Sequence, residues 1–249
     1  MTSKQIIRSI AVTFLVLSFV VAEVSAGGRA RSGSYQGPRS SGAWQQRVER
    51  TPGQVQRSAT WQNQRGQGSR VSTKYWNKES GTGGYSATTT LGNGRTFSRQ
   101  GTVTRNGQGL YTVDGTRTGP NGKVTNVKKT LARNADGSTA VHSAYTGPQG
   151  KTKNIDSTIQ RTAQGRAVSG TYATSGGKSG TFDSKVTRTE NGLVKEQSLT
   201  NQDGRNWHRN IIRTRQGNTI TRQAEVTNSL GQTRSHTSSA TVDTSVPTE

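Results

Sequence analysis

Cysteine is absent from this chain, so neither a disulfide framework nor a thiolate metal site can hold it together. Hydrophobic residues make up only 27%, against about 45–50% in a typical globular domain, a figure that includes glycine. A thick two-sided core is therefore excluded. Acidic groups are scarce as well: 13 Asp and Glu stand against 34 Lys and Arg, a formal net charge of +21. Carboxylate-pair catalysis has little to draw on, and the nearest candidates, Asp183 and Glu190, have no positional argument behind them. There is no H-E-x-x-H, and no Cys or close carboxylate completes a metal set around the three histidines His142, His208 and His236. They read as solvated strand residues, with His208 and His236 at nearly equivalent positions, close across a hairpin step.

Long apolar runs are also missing, with one exception. Lys4 and Arg8 precede Ile10 to Val21 ("IAVTFLVLSFVV"), and small residues at Val24 and Ala26 follow. A basic n-region, a short apolar stretch and an A-x-A-like site predict a signal peptide over residues 1–26 rather than a membrane span. No later segment can cross a bilayer as a helix. The chain also has no N-x-[ST] sequon, so an exported bacterial protein, periplasmic or at the cell surface, is expected.

What is abundant is Gly, Thr, Ser, Asn and Gln, and it is periodic. Turn glycines occur at Gly94 ("LGNGR"), Gly122 ("GPNGK"), Gly150 ("GPQGK"), Gly177 ("SGGKS"), Gly204 ("NQDGR") and Gly231 ("NSLGQ"), in steps of 27 or 28 residues. A second series, Gly109, Gly137, Gly165, Gly192 and Gly217, lies between them. Fixed spacing with turn chemistry marks a hairpin repeat. The Thr- and Val-rich segments between turns favour strand. Two stretches that hint at a phosphate loop, "GGKSG" at Gly176–Gly180 and "GKT" at Gly150–Thr152, fall on these turns and lack the earlier glycine, Tyr172 and Tyr145 standing in its place.

Counting each turn glycine as zero, the +5 position is Val127, Ile155 or Phe182. The +9 position is Val103, Leu131, Ile159 or Val186. Cations recur at +1 (Arg95, Lys123, Lys151, Lys178, Arg205) and at +11 (Arg105, Arg133, Arg161, Arg188), with Arg213 near the equivalent place in the next unit. Odd offsets share one face of an unbulged strand. The predicted fold is thus all-β: an antiparallel meander of about 10–12 strands over residues 71–242, as an open twisted sheet, a rolled solenoid or a barrel. One hairpin cannot stand alone, since ordering each backbone costs about 1–2 kcal/mol and a unit buries few apolar side chains. Residues 27–70, rich in Arg, Gly, Ser and Gln, are expected to form a flexible, disordered basic arm, and residues 243–249 a tail.

The "NGK", "DGR" and "QGR" turns between strands resemble those of YD/RHS-type repeats, and the whole unit is similar to Thr/Gly-rich exported bacterial repeat proteins. The resemblance implies architecture and export, not a reaction. No nucleophile–base arrangement stands out, so a non-enzyme without cofactor is expected. Tyr111, Tyr145, Tyr172, Phe97, Phe182 and Trp207 suit cross-strand packing; Trp44, Trp61 and Trp76 fit that account less well. The cations at Arg95, Arg105, Lys123, Arg133, Lys151, Arg161, Lys178, Arg188, Arg205 and Arg213 form two ranked rails. Such rails would attract anionic polysaccharide, lipopolysaccharide or nucleic acid without reading sequence. The alternatives are a fibre or matrix subunit that self-associates through sheet edges, and an outer-membrane barrel.

Overall fold

The computed structural model describes residues 27–37 and 40–243. The predicted signal peptide, and the tail beyond Asp243, lie outside the described residues. Sixteen strands follow one another: β1 (Gly27–Gly37), β2 (Ser40–Thr51), β3 (Gln54–Asn63), β4 (Gly66–Asn77), β5 (Thr82–Thr90), β6 (Thr96–Gly107), β7 (Leu110–Thr118) and β8 (Val124–Arg133). Then come β9 (Thr139–Thr146), β10 (Thr152–Thr162), β11 (Gly165–Thr174), β12 (Ser179–Thr189), β13 (Gly192–Asn201), β14 (Asn206–Gln216), β15 (Thr219–Thr227) and β16 (Thr233–Asp243). Each pairs antiparallel with its neighbour in sequence, and β1 pairs with β16, so the meander closes into a barrel. Among the described residues no helix is long and apolar enough to cross a membrane, which says nothing of strands.

Of the three sheet forms left open by sequence, the closed one is found. Two expectations are corrected. Residues 27–70 are not a flexible arm; they form β1 to β3 and the start of β4. The count accordingly rises from 10–12 strands to sixteen. The reason lies in side-chain alternation that the Arg, Gly and Gln content obscures. Trp44 and Trp61 sit directly opposite each other on β2 and β3, and Val48 and Val55 keep the same parity. Ring closure then gives β1 a second partner, five residues from Ser32 to Gln36 pairing with β16. Closure also removes the open edges on which an edge-to-edge fibre depends.

Following paired residues once around the ring returns to β1 displaced by about 20 residues along the strand. That stagger, with sixteen strands, tilts them about 40–45° and sets the backbone radius at roughly 15 Å. A circular ring of this size is too wide for side chains from opposite walls to meet at its centre.

Five of the six repeat turns of the first glycine series are built alike; the GPQGK turn is instead a short 3-10 turn over Pro148–Gly150 in which Gln149 is also left-handed, at φ +66. In the GPNGK turn the N–H of Gly122 donates to the Gly119 carbonyl at 3.0 Å, and the N–H of Gly119 donates to the Lys123 carbonyl at 2.9 Å. This is a type I turn closed by a left-handed residue, the three-residue hairpin loop. Gly122 has φ +73, a value that costs an L side chain strain. The +1 cation is therefore the residue that closes the loop, one position before the strand begins, rather than a residue on the strand face as expected.

Candidate functional site

The two faces of the wall differ in chemistry, and geometry identifies which is inner. Directly opposed residues in an antiparallel pair point to the same side, so the register extends one face around the whole ring. The face carrying Val113, Val127 and Ile155 is buried, these three being 1–2% exposed. On it the Trp76 and Tyr111 rings lie 6.1 Å apart although β4 and β7 are three strands apart. A convex face would splay such rings; this face is concave.

A continuous apolar cluster lines it from Val103 through Ile155 to Leu199, with Trp76, Tyr85, Tyr111 and Trp207 packed against it. Seven inner aromatics stand directly opposite a glycine on a neighbouring strand: Tyr35 with Gly42, Trp44 with Gly33, Trp61 with Gly68, Trp76 with Gly83, Tyr85 with Gly101, Phe182 with Gly170 and Tyr172 with Gly180. A Cβ on Gly101 would meet the Tyr85 hydroxyl at 2.8 Å. The rings thus lie along the wall, over positions left vacant for them. The six aromatics expected to pack across strands face this way, and so do Trp44, Trp61 and Trp76.

The same face holds the cations. Arg70, Lys74, Arg99, Arg117, Lys129, Lys153, Arg166, Lys195, Arg209, Arg213 and Arg222 all share its parity. Among the described strand residues, no inward position holds Asp or Glu. The carboxylates of the strands, Glu49, Asp114, Asp156, Asp183, Glu196 and Glu225, have the opposite parity and face outward with Thr, Ser, Asn and Gln.

Lys129 is only 4% exposed. Its Nζ lies 5.7 Å from the centre of the Tyr145 ring, and the Arg117 guanidinium lies 5.1 Å from the same centre. Lys153 Nζ sits 5.8 Å from the Tyr172 ring. Burial pushes the Lys129 ammonium below the ordinary lysine range, Tyr145 opposes that, and Arg117 and Arg99 add to it. Lys74 and Lys195 are lowered for the same reasons, burial first and then neighbouring arginines. Burial raises the Tyr85 phenol, against the pull of Arg117 and Arg99. Three pairs of arginines stand directly opposite each other: Arg99 with Arg117, Arg161 with Arg166, and Arg213 with Arg222. Like charges so placed repel and destabilise a sheet.

The cations named from sequence fall at the two mouths. Arg105, Arg133, Arg161 and Arg188 lie on alternate strands near the rim formed by the β6–β7, β8–β9, β10–β11 and β12–β13 turns, all exposed. The backbone N–H of Arg105, Arg133 and Arg188 each donates to a turn carbonyl of the preceding hairpin, Gly81, Gly109 and Gln164, at 2.7–2.9 Å. Arg95, Lys123, Lys151, Lys178 and Arg205 close the turns of the opposite rim, also exposed. Arg213 belongs with the inner pairs. Sequence reasoning missed the cations between the mouths. The signal was present: Arg99 and Lys129 sit at offsets +5 and +7, on the odd face, and the return strands carry Arg117, Lys195 and Arg222 at matching parity.

The histidines divide. His208 and His236 lie on β14 and β16 and on opposite faces of the wall, so they do not meet as expected. His142 faces outward and its Nδ1 is 2.6 Å from Asp156 Oδ1, both side chains more than half exposed. They line a shallow outer groove of about 440 Å³ with Thr130, Thr158 and Ser169. Among the described residues no group of His, Cys, Asp and Glu could hold a metal ion. No family model matches this chain, and no curated protein matches it in sequence.

Proposed function

We propose that the protein is an exported, non-catalytic module that binds anionic polymers through the cation-lined inner wall and mouths of a closed barrel. Acidic polysaccharide, lipopolysaccharide and extracellular DNA are the polymers available to an exported bacterial protein, and the role is structural or adhesive. The observation that carries this reading is the sorting of charge by face: most strand arginines and lysines face inward, while the strand carboxylates face outward beside Arg47, Lys128 and Lys185. A merely soluble surface would spare the inner wall this repulsion. An inner wall of fixed positive sign gathers polyanions by counterion release, whatever their sequence.

The test is a titration of heparin-like, lipopolysaccharide and DNA probes at two ionic strengths. Six to ten charge contacts weaken binding by about 10³–10⁵ between 50 and 200 mM salt. A salt-independent affinity overturns the reading.

An outer-membrane barrel is the second reading, favoured by the even number of strands, their tilt and the closed ring. A lipid-facing band needs alternating apolar residues. Here the outward positions of β12 are Ser179, Thr181, Asp183, Lys185, Thr187 and Thr189, and those of β10 include Asn154, Asp156 and Gln160. That face suits water. Flotation with phospholipid vesicles separates the two: the aqueous reading expects the protein to stay with the buffer in the absence of detergent.

A further inference from the structure

We infer that the outer face of strands β4 to β8 carries a second binding site, apart from the cation-lined inner wall, and that it takes a neutral chain of linked sugar rings laid across the strands. The argument starts at Tyr75. Among the described strand residues it is the one aromatic side chain with outward parity, and it is 49% exposed. It stands directly opposite Gly84 on β5, where a Cβ would meet Cε1, Cζ and the hydroxyl of Tyr75 at 2.6–2.7 Å. The ring therefore lies along the wall over β5, and Gly84 is buried beneath it although that position faces outward. One side of the ring rests on backbone. The other is held open to water as a platform.

Beyond the ring, the same row of opposed residues continues through Thr102, Asp114 and Lys128 on β6, β7 and β8. The adjacent row supplies Gln100, Thr116 and Asn126. With Tyr75 these six line an outer groove of about 600 Å³. Among the described residues none of the six side chains hydrogen-bonds or ion-pairs with another, although Asp114 and Lys128 are directly opposed. Their polar atoms are left for a guest.

The chemistry of the groove selects that guest. A carboxylate that only accepts, an ammonium that only donates, and hydroxyls and amides that do both match the mixed hydroxyls of a sugar. The weakly positive C–H groups on one side of a pyranose settle on the negative face of an aromatic ring. One Asp and one Lys cancel, so this groove offers a polyanion none of the net charge of the inner wall. An extended peptide finds no free sheet edge to join, because every strand is paired on both sides. Three strand spacings, about 14 Å, separate Gly84 from Lys128. That length exceeds one pyranose, so the ligand is a chain.

The experiment titrates the full protein by calorimetry with cellohexaose, maltohexaose, mannohexaose and chitohexaose, and with a thymidine oligomer as a base-stacking comparison. At least one hexasaccharide is expected to bind saturably, its affinity changing by less than about 2-fold between 50 and 200 mM salt. Tyr75→Ala should lose about 10-fold or more of that affinity, and Tyr75→Trp should keep it. Gly84→Ala should weaken binding as well, since its Cβ displaces the ring from the wall. Lys185→Gln, outward on β12 and outside the groove, should change nothing. Asp114→Ala repeats the measurement at the far end of the groove should Tyr75→Ala fold poorly, with a loss again expected. Failure of all four hexasaccharides to bind, or an unchanged affinity in both Tyr75→Ala and Asp114→Ala, overturns the inference. So does tighter binding of the thymidine oligomer that Tyr75→Ala abolishes. The polyanion reading stands or falls separately, on charged probes and their salt dependence.

Discussion

Lys129→Met should make this protein more stable, and the size of the gain can be worked out. Lys129 Nζ and the Arg117 guanidinium lie 5.7 and 5.1 Å from one ring centre, so they are at most about 11 Å apart. At that distance two unit charges repel by about 0.4 kcal/mol in a water-like medium and about 1.5 kcal/mol at an effective dielectric of 20. The ammonium also loses hydration in its buried position, while its attraction to the Tyr145 ring returns part of that. Methionine keeps the volume and still packs favourably on an aromatic ring. The net expectation is a gain of about 0.5–1.5 kcal/mol, or roughly 2–5 °C in Tm for a chain of this size. Burial also sets the sign of the pH dependence. A lysine held below its ordinary pKa in the folded state binds fewer protons there than in the unfolded state, so stability rises with pH through that window. The wild type should therefore gain Tm between pH 7 and about 10, and the variant should gain less. Thermal unfolding followed by circular dichroism at low salt measures both. A variant less stable by more than about 1 kcal/mol, or a wild type whose Tm falls over that range, would refute the claim that the inner wall is electrostatically strained.

Three further outcomes are expected. Gly101→Val should lower Tm by several degrees, because its Cβ meets both the Tyr85 ring and the Asp114 carbonyl and overpacking costs about 1–3 kcal/mol; unchanged melting would mean that the aromatic–glycine pairing is incidental. Gly122→Ala has open space around its new Cβ and only the left-handed backbone against it, so it should cost about 1 kcal/mol and Gly122→Asn less, as chemical denaturation would report. Asp156→Asn should cost under about 1 kcal/mol, since its partner His142 is exposed; a larger loss would give that outer pair a structural weight its exposure does not suggest.

Much of this architecture was legible because its determinants are local. The turn spacing follows from loops that need glycine at one left-handed position, and the odd-offset stripe from strand parity. Val127, Leu131 and Arg133 share a face as counted, as do Ile155, Ile159 and Arg161. Closure was not legible. Whether β1 reaches β16 depends on a stagger summed over every strand pair, and no single turn encodes it. Strands β1 to β4 were hidden for a different reason: their inward positions are filled by Gly33, Gly42, Gly68 and Ala59 opposite large rings or arginines. Such pairs leave a segment poor in aliphatic residues while still covering its inner wall. The central cations do not repeat at one offset, which hides them from a count of turn-to-turn positions. Arg99, Arg117 and Lys129 recur at different offsets and are related only across the sheet.

That relation decides how the charge should be understood. A cation on an outer strand face has water on one side and costs little, so its presence needs no explanation. An arginine opposite another arginine on a concave wall, with every strand carboxylate turned away, is an arrangement that random drift in surface residues does not favour, because substituting either member by glutamine relieves repulsion. The barrel tolerates it since each strand is hydrogen-bonded on both sides and no edge can peel. Stability drawn from closure thus offsets the cost of a like-charged interior. The same repulsion that weakens the empty protein is the attraction available to an anionic guest, which ties the two measurements together: substitutions at the arginine pairs should raise the melting temperature of the free protein and lower its affinity for the polymer. If both quantities fell together, the arginines would be supporting the wall and not holding a place for a ligand.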